Sequence, residues 1–188
     1  MEIRMLEKKN YEVWDNFCLE SNDAWFWHTT LWQEALMAHA KEMSPENHSF
    51  MVFQNGRSVG LCPLILTKSQ NVIEFGGNNY GITPALENKL TENEREKVLK
   101  FIFDEVDRIA KEKGVKRICM RFPVLNTVLD SQVSRWNYLT KYGFIDTSTN
   151  TQLLDLSLSL EELRKNVRHG HDAAVTRGTK ELSFVISN

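Results

Sequence analysis

The sequence predicts a mixed α/β (α+β) domain in which a largely antiparallel central sheet is flanked by helices. Short apolar runs flank the Asn55-Gly56 pair, the pattern of a β-hairpin. Apolar residues recur at helical spacing behind a capping box formed by Thr91 and Glu94. A further strand, helix and strand follow Gly114. This order of elements favours an α+β domain over an all-helical or a parallel doubly wound one.

Length and composition set limits on the function. The 188 residues are enough for one domain, or for one domain and a fragment of another. With 41% hydrophobic residues the chain can form a core without disulfides or metals. The net charge of −2 argues against general nucleic-acid binding, so no DNA partner is expected. No apolar run approaches membrane-spanning length, so no membrane insertion is expected.

The cysteines indicate a reducing environment. Cys18, Cys62 and Cys119 are odd in number, widely spaced and set in apolar runs, with no CxxC pair. They predict buried thiols rather than disulfides or a zinc site. Residues 1–9 carry charges where a secretory signal needs an apolar core, so we expect a cytoplasmic location.

The N-terminal part is predicted to contain a strand over residues 3–6 and helices over 11–20 and 30–40. In the first helix Val13, Trp14 and Phe17 are expected to face inward. In the second, Leu31, Ala35 and Ala38 recur at helical spacing with Trp32 and Leu36 beside them, and Trp32 is expected in the core. Between the helices lies the most aromatic segment, in which Trp25 and Trp27 are candidate substrate-binding residues because aromatic rings stack on nucleobases and sugars. Packing beneath the second helix is the alternative, and both remain open.

Three antiparallel strands are expected next, over residues 50–53, 59–66 and 71–75. Pro63 lies inside the second apolar run. Because proline cannot donate a hydrogen bond to a ladder, Pro63 indicates a bulge or an edge position.

A glycine-rich loop over residues 76–81 follows the strands. It matches neither the dinucleotide-binding pattern nor the P-loop pattern, so it predicts no phosphate site. We interpret it as a flexible loop at the rim of a cleft. The alternative is direct substrate contact, which Asn78 and Tyr80 would supply.

The helix behind Thr91 has an apolar face and is expected to end at Gly114. A strand over residues 116–122 places Arg121 on the same side as Arg117 and Cys119. An arginine on a central strand is costly to bury unpaired. Arg121 is therefore expected to form a structural ion pair or to face a cleft that receives an anion.

A helix over residues 126–142 is predicted to end at Gly143. Residues 151–156 then predict a strand that runs into a helix capped by Ser159 and Glu162. That helix is expected to end at Gly178 in the left-handed conformation.

Arg164, Arg168 and His171 fall on one line of this helix, as residues three and four apart do. They are candidate substrate-binding residues that would meet a phosphate or carboxylate; a solvated helix face is the alternative. His169 and His171 point in roughly opposite directions on a helix, so no metal site is expected.

The C-terminal segment resembles the hinge of FemA-like transferases, which carry two GNAT-like acyltransferase domains in tandem. The resemblance rests on Asp155-Leu156-Ser157, the Glu161-Glu162-Leu163 helix rich in Arg and His, and Arg177-Gly178 before another strand. His28-Thr29-Thr30-Leu31-Trp32 resembles the opening helix, residues 117–122 a central strand, and Tyr142-Gly143-Phe144 the last helix-to-strand step. It implies a GNAT-like N-terminal domain over 1–157, followed over 158–188 by a linker helix and the first strand of a second such domain.

The resemblance also implies a function, the transfer of an acyl or aminoacyl group to an amine of a cell-envelope or nucleotide-sugar precursor. The implied donor is acyl-CoA or aminoacyl-tRNA. The donor pattern of GNAT domains, Arg or Gln followed by x-x-Gly-x-Gly or x-x-Gly-x-Ala, is missing from the sequence, so no cofactor is expected to bind this chain. Catalysis in such enzymes depends on positioning, so no catalytic residue is assigned.

The alternative function is that of a non-catalytic module, which keeps the fold and binds a ligand or partner. The apolar alternation over residues 181–186 predicts a strand that needs a partner. It is expected to pair with a second copy, giving a homodimer, or to fold back on its own sheet.

Overall fold

The computed structural model describes residues 1–69, 72–77, 80–123, 137–147, 157–165, 167 and 169–181. The chain divides into two compact units, Met1–Thr147 and Ser148–Asn188. Among the described residues, no helix has both the length and the apolar character needed to cross a membrane.

The first unit contains the helices and strands of a mixed α/β domain, and the predicted fold class is confirmed. In chain order the elements are β1 Glu2–Met5, α1 Tyr11–Glu20, α2 Thr30–His39, β2 Glu46–Asn47, β3 Phe50–Gln54, β4 Arg57–Cys62, β5 Ile65–Ser69, β6 Val72–Phe75, β7 Ala85–Leu86, α3 Glu92–Lys113 and β8 Arg117–Ile118. Short 3₁₀ helices cover Lys8–Asn10, Phe26–His28, Lys41–Met43 and Tyr138–Tyr142.

In the described part of the chain the strands form two four-stranded sheets, in the orders β1-β3-β4-β7 and β2-β5-β6-β8. Pairing is antiparallel except between β6 and β8, which are parallel. The predicted hairpin is confirmed. Asn55 and Gly56 have φ values of 52° and 77°, as a two-residue hairpin turn with both central residues left-handed requires.

The second predicted strand, over 59–66, is divided at Pro63. β4 ends at Cys62 and β5 begins at Ile65, so the chain passes here from the first sheet to the second. The backbone N–H of Leu64 donates to the Ser49 hydroxyl at 2.8 Å rather than to a neighbouring strand. Because Pro63 has no N–H, the ladder is interrupted at this point.

The main core lies between α3 and the two sheets. Its buried members include Phe50, Val52, Leu66, Phe75, Leu86, Val98, Ile102, Val106 and Ile109. Gly60 allows the close approach of α3 to β4, since a Cβ atom there would lie 2.9 Å from Leu86 and 3.3 Å from Val98. As predicted, the capping box of Thr91 and Glu94 starts α3, and Gly114 ends it with φ 67°.

The inward faces of α1 and α2 differ from the prediction. Trp14 and Phe17 are buried as expected, but Val13 is exposed. In α2 the buried side chains are Thr30, Gln33 and Leu36, whereas the predicted series of Leu31, Ala35 and Ala38 is exposed. Gln33 can face inward because its side chain has hydrogen-bond partners there. It donates to the His28 carbonyl at 3.1 Å and accepts from Asn47 and Ser49 at 3.0 and 2.9 Å.

The strand predicted over 116–122 is assigned only at Arg117–Ile118, but its contacts continue. The Cys119 N–H donates to the Phe75 carbonyl at 2.9 Å. Residues 124–136, most of the next predicted helix, lie outside the described residues. The end of that segment is the 3₁₀ helix Tyr138–Tyr142, closed as predicted by Gly143 with φ 84°.

The second unit contains two described helices, α4 Leu160–Lys165 and α5 His169–Glu181. The capping box is confirmed: the Ser159 hydroxyl lies 2.6 Å from Glu162 Oε2, and the Glu162 N–H lies 3.3 Å from that hydroxyl. The prediction of one helix ending at Gly178 is wrong, because α4 ends at Lys165 and α5 continues through Gly178.

The predicted strands over 151–156 and 181–186 lie outside the described residues, apart from Glu181, which ends α5. The domain boundary after residue 157 stays a prediction.

Candidate functional site

Thr83 lies where three parts of the first unit meet, and it defines the candidate site. Its N–H donates to the Arg121 carbonyl at 2.9 Å. Its own carbonyl lies 2.9 Å from Nε2 of His28, and its side chain forms a hydrogen bond with the Tyr138 hydroxyl. One buried residue therefore joins the aromatic segment, the chain after the glycine-rich loop and the chain after β8.

His28 is a fully buried structural histidine. Its Nδ1 accepts a hydrogen bond from the Trp25 N–H at 2.9 Å, so Nε2 carries the proton and donates to the Thr83 carbonyl. Burial lowers the pKa of His28 to about 4, which keeps the ring neutral at physiological pH. The imidazole thus joins two backbone segments and is not placed as an acid or base.

The backbone around His28 is held from several sides. The His28 carbonyl accepts hydrogen bonds from Nε1 of Trp14 at 2.7 Å and from Gln33 at 3.1 Å. The carboxylate of Asp15 accepts from both the N–H and the hydroxyl of Thr30, at 2.8 and 2.5 Å. These bonds fix the aromatic segment to both α1 and α2.

Residues before the aromatic segment cover the edge strand β7. The Ser21 hydroxyl donates to the Leu86 carbonyl at 2.6 Å. Asp23 accepts from the Leu86 N–H at 3.2 Å and from Arg95 at 2.5 Å. Backbone groups at this edge, which would otherwise need water, are therefore paired within the chain.

Trp25 and Trp27 are half-buried and in contact, with ring centroids 6.4 Å apart. Trp32 joins them through Trp27, also at 6.4 Å, and contacts Phe26 at 5.4 Å. None of the four rings belongs to the two buried core clusters of the described residues. Their role in ligand binding stays a prediction.

The glycines of the loop over 76–81 serve close packing. A Cβ atom at Gly76 or at Gly81 would overlap the Cys119 carbonyl oxygen. The Gly81 N–H returns to the Gly76 carbonyl at 3.3 Å, and Gly76 has φ 70°. The loop is therefore closed directly against the chain after β8. Tyr80 is half-buried at its tip, while Asn78 lies outside the described residues.

An ion pair with a buried carboxylate and a largely exposed arginine lies beside this loop, and the sequence did not predict it. Oε2 of Glu74 accepts a hydrogen bond from Nε of Arg117 at 2.6 Å. Gly77 lies against the same carboxylate. Across the ladder from Glu74, the buried hydroxyl of Thr67 has no hydrogen-bond partner among the described residues. The signal was available, because Glu74 is a lone acid within the apolar strand Val72–Phe75.

Arg121 is exposed, and its backbone carbonyl holds Thr83. The structure therefore brings the segments of Trp25, Tyr80 and Arg121 to one place through hydrogen bonds with Thr83 and its neighbours. In the same segment Arg117 pairs with the buried carboxylate of Glu74.

The predicted line of Arg164, Arg168 and His171 is not formed on one helix. Arg164 belongs to α4 and His171 to α5, both with exposed side chains, and Arg168 lies outside the described residues. In α5 the helix is unbroken at Gly170. Among the residues described, no group of three or more His, Cys, Asp or Glu side chains could hold a metal ion.

The three cysteines are free. Cys62 is buried as predicted, and burial raises the pKa of its thiol. Cys18 and Cys119 are only half-buried, which corrects the prediction for these two. Burial raises the pKa of Cys18 to about 12, so this thiol stays protonated and is a poor nucleophile near neutral pH.

No protein-family model and no curated protein matches the chain. Among solved structures it is similar to an aminoglycoside antibiotic 6'-N-acetyltransferase from Acinetobacter haemolyticus, with 11% identity and a TM-score of 0.50 over 82% of this chain and 98% of that one. An aminoglycoside N-acetyltransferase in complex with CoA has 17% identity and a TM-score of 0.49, over 82% of this chain and 94% of that one. A predicted acetyltransferase from Clostridium acetobutylicum with acetyl-CoA has 14% identity and a TM-score of 0.49, over 84% of this chain and 97% of that one.

The first of these likenesses shows that the chain has a mixed α/β fold of the GNAT acetyltransferase type. At 11% identity this likeness supports a conclusion about the fold and none about the activity.

Proposed function

We propose that this chain is the acceptor-binding part of an N-acyltransferase, which moves an acyl or aminoacyl group to an amine. The single observation that carries the proposal is the convergence of three segments on Thr83 within an acetyltransferase-type fold. In the FemA-like reading the acceptor amine belongs to a cell-envelope or nucleotide-sugar precursor, and the reaction takes place in the cytoplasm.

In the proposed reaction the lone pair of a neutral amine attacks the carbonyl carbon of a thioester or ester. The carbon–nitrogen bond forms and the carbon–sulfur or carbon–oxygen bond breaks. The nitrogen loses a proton to solvent or a base, and the leaving thiolate or alkoxide takes one up. This chemistry needs positioning more than a protein nucleophile.

Substrate-binding roles are proposed for residues in both units. Around Thr83, the segments that carry Trp25, Trp27, Tyr80 and Arg121 would bind the acceptor, together with Asn78. Arg121 offers a planar group that pairs with carboxylate or phosphate. In the second unit Arg164, Arg168 and His171 are proposed to meet an anionic part of the precursor.

The donor is proposed to be acyl-CoA or aminoacyl-tRNA, bound by protein outside this chain. The support is the absence from the sequence of the donor pattern of GNAT domains. We therefore expect no tight binding of acetyl-CoA to residues 1–188. If calorimetry found micromolar affinity of residues 1–188 for acetyl-CoA, the proposal that the donor binds outside this chain would be overturned.

A non-catalytic binding module is the second candidate, and the same missing pattern favours it. Thiol release from acetyl-CoA, and transfer from charged tRNA, would be measured with a panel of primary amines. The assays would use this chain and the same chain with any coding sequence that follows Asn188. Amine-dependent turnover supports the transferase, whereas its absence in both proteins and with both donors supports the module.

A matched pair of variants tests the site. Arg121→Gln should raise the KM for the acceptor, while Arg108→Gln, on the exposed face of α3, should not. Equal kinetics for the two variants would exclude Arg121 from acceptor binding.

A further inference from the structure

The first 40 residues contain an unusual distribution of charge. Residues 10–40 hold five acidic residues and neither Lys nor Arg, although the chain has 23 basic residues in all. The acids are Glu12, Asp15, Glu20, Asp23 and Glu34. Asp15 is bonded to Thr30 and Asp23 to Arg95. Glu12, Glu20 and Glu34 are exposed, so α1 and α2 present an acidic surface.

The same region carries a partly exposed aromatic cluster, in which Phe26 is exposed and Trp25, Trp27 and Trp32 are half-buried. Phe26 is 50% exposed, and Leu31 beside it on α2 is 67% exposed. Apolar side chains at such exposure contribute little to the fold, since burial is the source of hydrophobic stabilisation. A contiguous group of partly exposed apolar side chains indicates a binding surface.

The cluster is held in place before any ligand arrives. It lies on either side of His28, whose side chain and carbonyl are both hydrogen-bonded within the protein. A fixed backbone reduces the ordering that binding requires. The buried hydrogen bond from His28 to Thr83 also ties the backbone of this segment to the residue that defines the candidate site.

The aromatic cluster and the exposed acids Glu12, Glu20 and Glu34 together are called the acidic aromatic face. We propose that this face binds the acceptor in its ammonium form, which loses its proton before attack, and so selects acceptors that carry a primary amine on an apolar carbon skeleton. The proposal rests on the proposed function. Aromatic faces attract cations through the ring quadrupole, and the exposed carboxylates of Glu12, Glu20 and Glu34 attract them at longer range. N-acylation removes the charge, so the face holds the acceptor more strongly than its product.

The test uses cadaverine and its mono- and di-N-acetyl derivatives, which keep the carbon chain and remove first one charge and then both. Binding is followed without a donor by tryptophan fluorescence, since three of the five tryptophans lie in the cluster. We expect the affinity to fall by roughly three- to thirtyfold with each charge removed. Equal affinity for the three compounds would overturn the proposal.

Variants identify the surface. Trp27→Leu and Glu34→Gln should each weaken cadaverine binding, whereas Glu112→Gln, which removes an exposed acid of α3, should not. Circular dichroism and the melting temperature of each variant establish that it is folded. If Glu112→Gln weakens binding as much as Glu34→Gln, the interaction is general charge attraction and the proposal fails.

Two further outcomes separate this inference from the proposed function. Amine-dependent acyl transfer whose KM does not change in Trp27→Leu would leave the transferase standing and exclude the face. Fluorescence that responds to protein concentration and not to cadaverine would show that a second copy occupies the face, and would also overturn the proposal.

Discussion

Oε2 of Glu74 lies 2.6 Å from Nε of Arg117, across the parallel pair of strands β6 and β8. Glu74 is 2% exposed, whereas the Arg117 side chain is 62% exposed. The guanidinium thus neutralises a buried carboxylate while part of it remains in water. Loss of the arginine would leave an unpaired buried charge, which is far more costly than the loss of a surface pair.

Arg117→Met is therefore expected to lower the free energy of unfolding, and by more than the loss of a fully exposed pair. The double variant Glu74→Met/Arg117→Met should recover most of that loss, because no charge remains buried. Urea unfolding measures both. As a control, Lys100→Met breaks a pair whose side chains are 70% and 63% exposed and should cost less than about 1 kcal/mol. A double variant no more stable than Arg117→Met would contradict this account.

Gly81→Ala tests the close packing of the glycine-rich loop against Cys119. The added methyl group would overlap a backbone oxygen that has no rotamer to change, so we expect a loss of about 2–3 kcal/mol. Gly56→Ala is the matched control, since a Cβ there meets nothing within 4 Å and the change costs only the left-handed conformation, about 1 kcal/mol. Thermal unfolding measures the stability of the two variants. Equal losses of stability would show that the loop opens freely and is not closely packed against Cys119.

The stability of the protein should depend on pH through His28. Its folded pKa of about 4 lies below the unfolded value of 6.5, so the unfolded chain binds the extra proton between these values. The contribution of His28 to the free energy of unfolding is complete above pH 6.5. It falls as the pH drops toward 4, by at most about 1.4 kcal/mol per pH unit.

NMR titration of the His28 ring and urea unfolding from pH 7 to 4 check this dependence. The ring should remain neutral until the pH approaches 4, and His28→Gln should remove the corresponding slope. The carboxylate of Glu46 titrates lower, because hydrogen bonds from Lys113 and Lys68 lower its pKa to about 2. Protonation of His28 near pH 6.5 without unfolding would refute its buried neutral state.

Much of the fold could be predicted because its signals are local. The hairpin at Asn55-Gly56 and the capping box at Thr91 depend on residues within a few positions of each other. The buried face of α2 could not be predicted in this way. Gln33 is buried because Asn47 and Ser49 supply its partners, and nothing in the helix itself indicates them.

The same difference between local signals and long-range partners applies to the candidate site. Trp25, Tyr80 and Arg121 were proposed from residue type, since aromatic and arginine side chains suit ligand contact. Thr83 carries no such signal, yet it joins their segments through partners that are 38 or more positions away, as Arg121 is from Thr83. Pairing of this kind depends on the topology and not on local pattern.

The C-terminal residues remain the basis of a prediction about assembly. The apolar alternation of residues 182–186 is expected to pair with a second copy or with the chain's own sheet. Since α5 ends at Glu181, the appropriate comparison is between residues 1–188 and 1–181. Light scattering should show a dimer that is lost on truncation, or unfolding should show a less stable monomer. Two monomers of equal stability would exclude both forms of pairing.

The bonds that position the aromatic segment span long stretches of chain. Ser21 meets a residue 65 positions away, Asn22 one 66 away and Asp23 one 72 away. Closing such loops is an entropic barrier that only a largely formed hairpin and α3 can offset. On a growing polypeptide, residues 21–23 can form these bonds only after Leu86, Asn88 and Arg95 have been synthesised. In kinetic terms we expect the aromatic segment to reach its final position after residues 86–95 have folded, although it is synthesised before them.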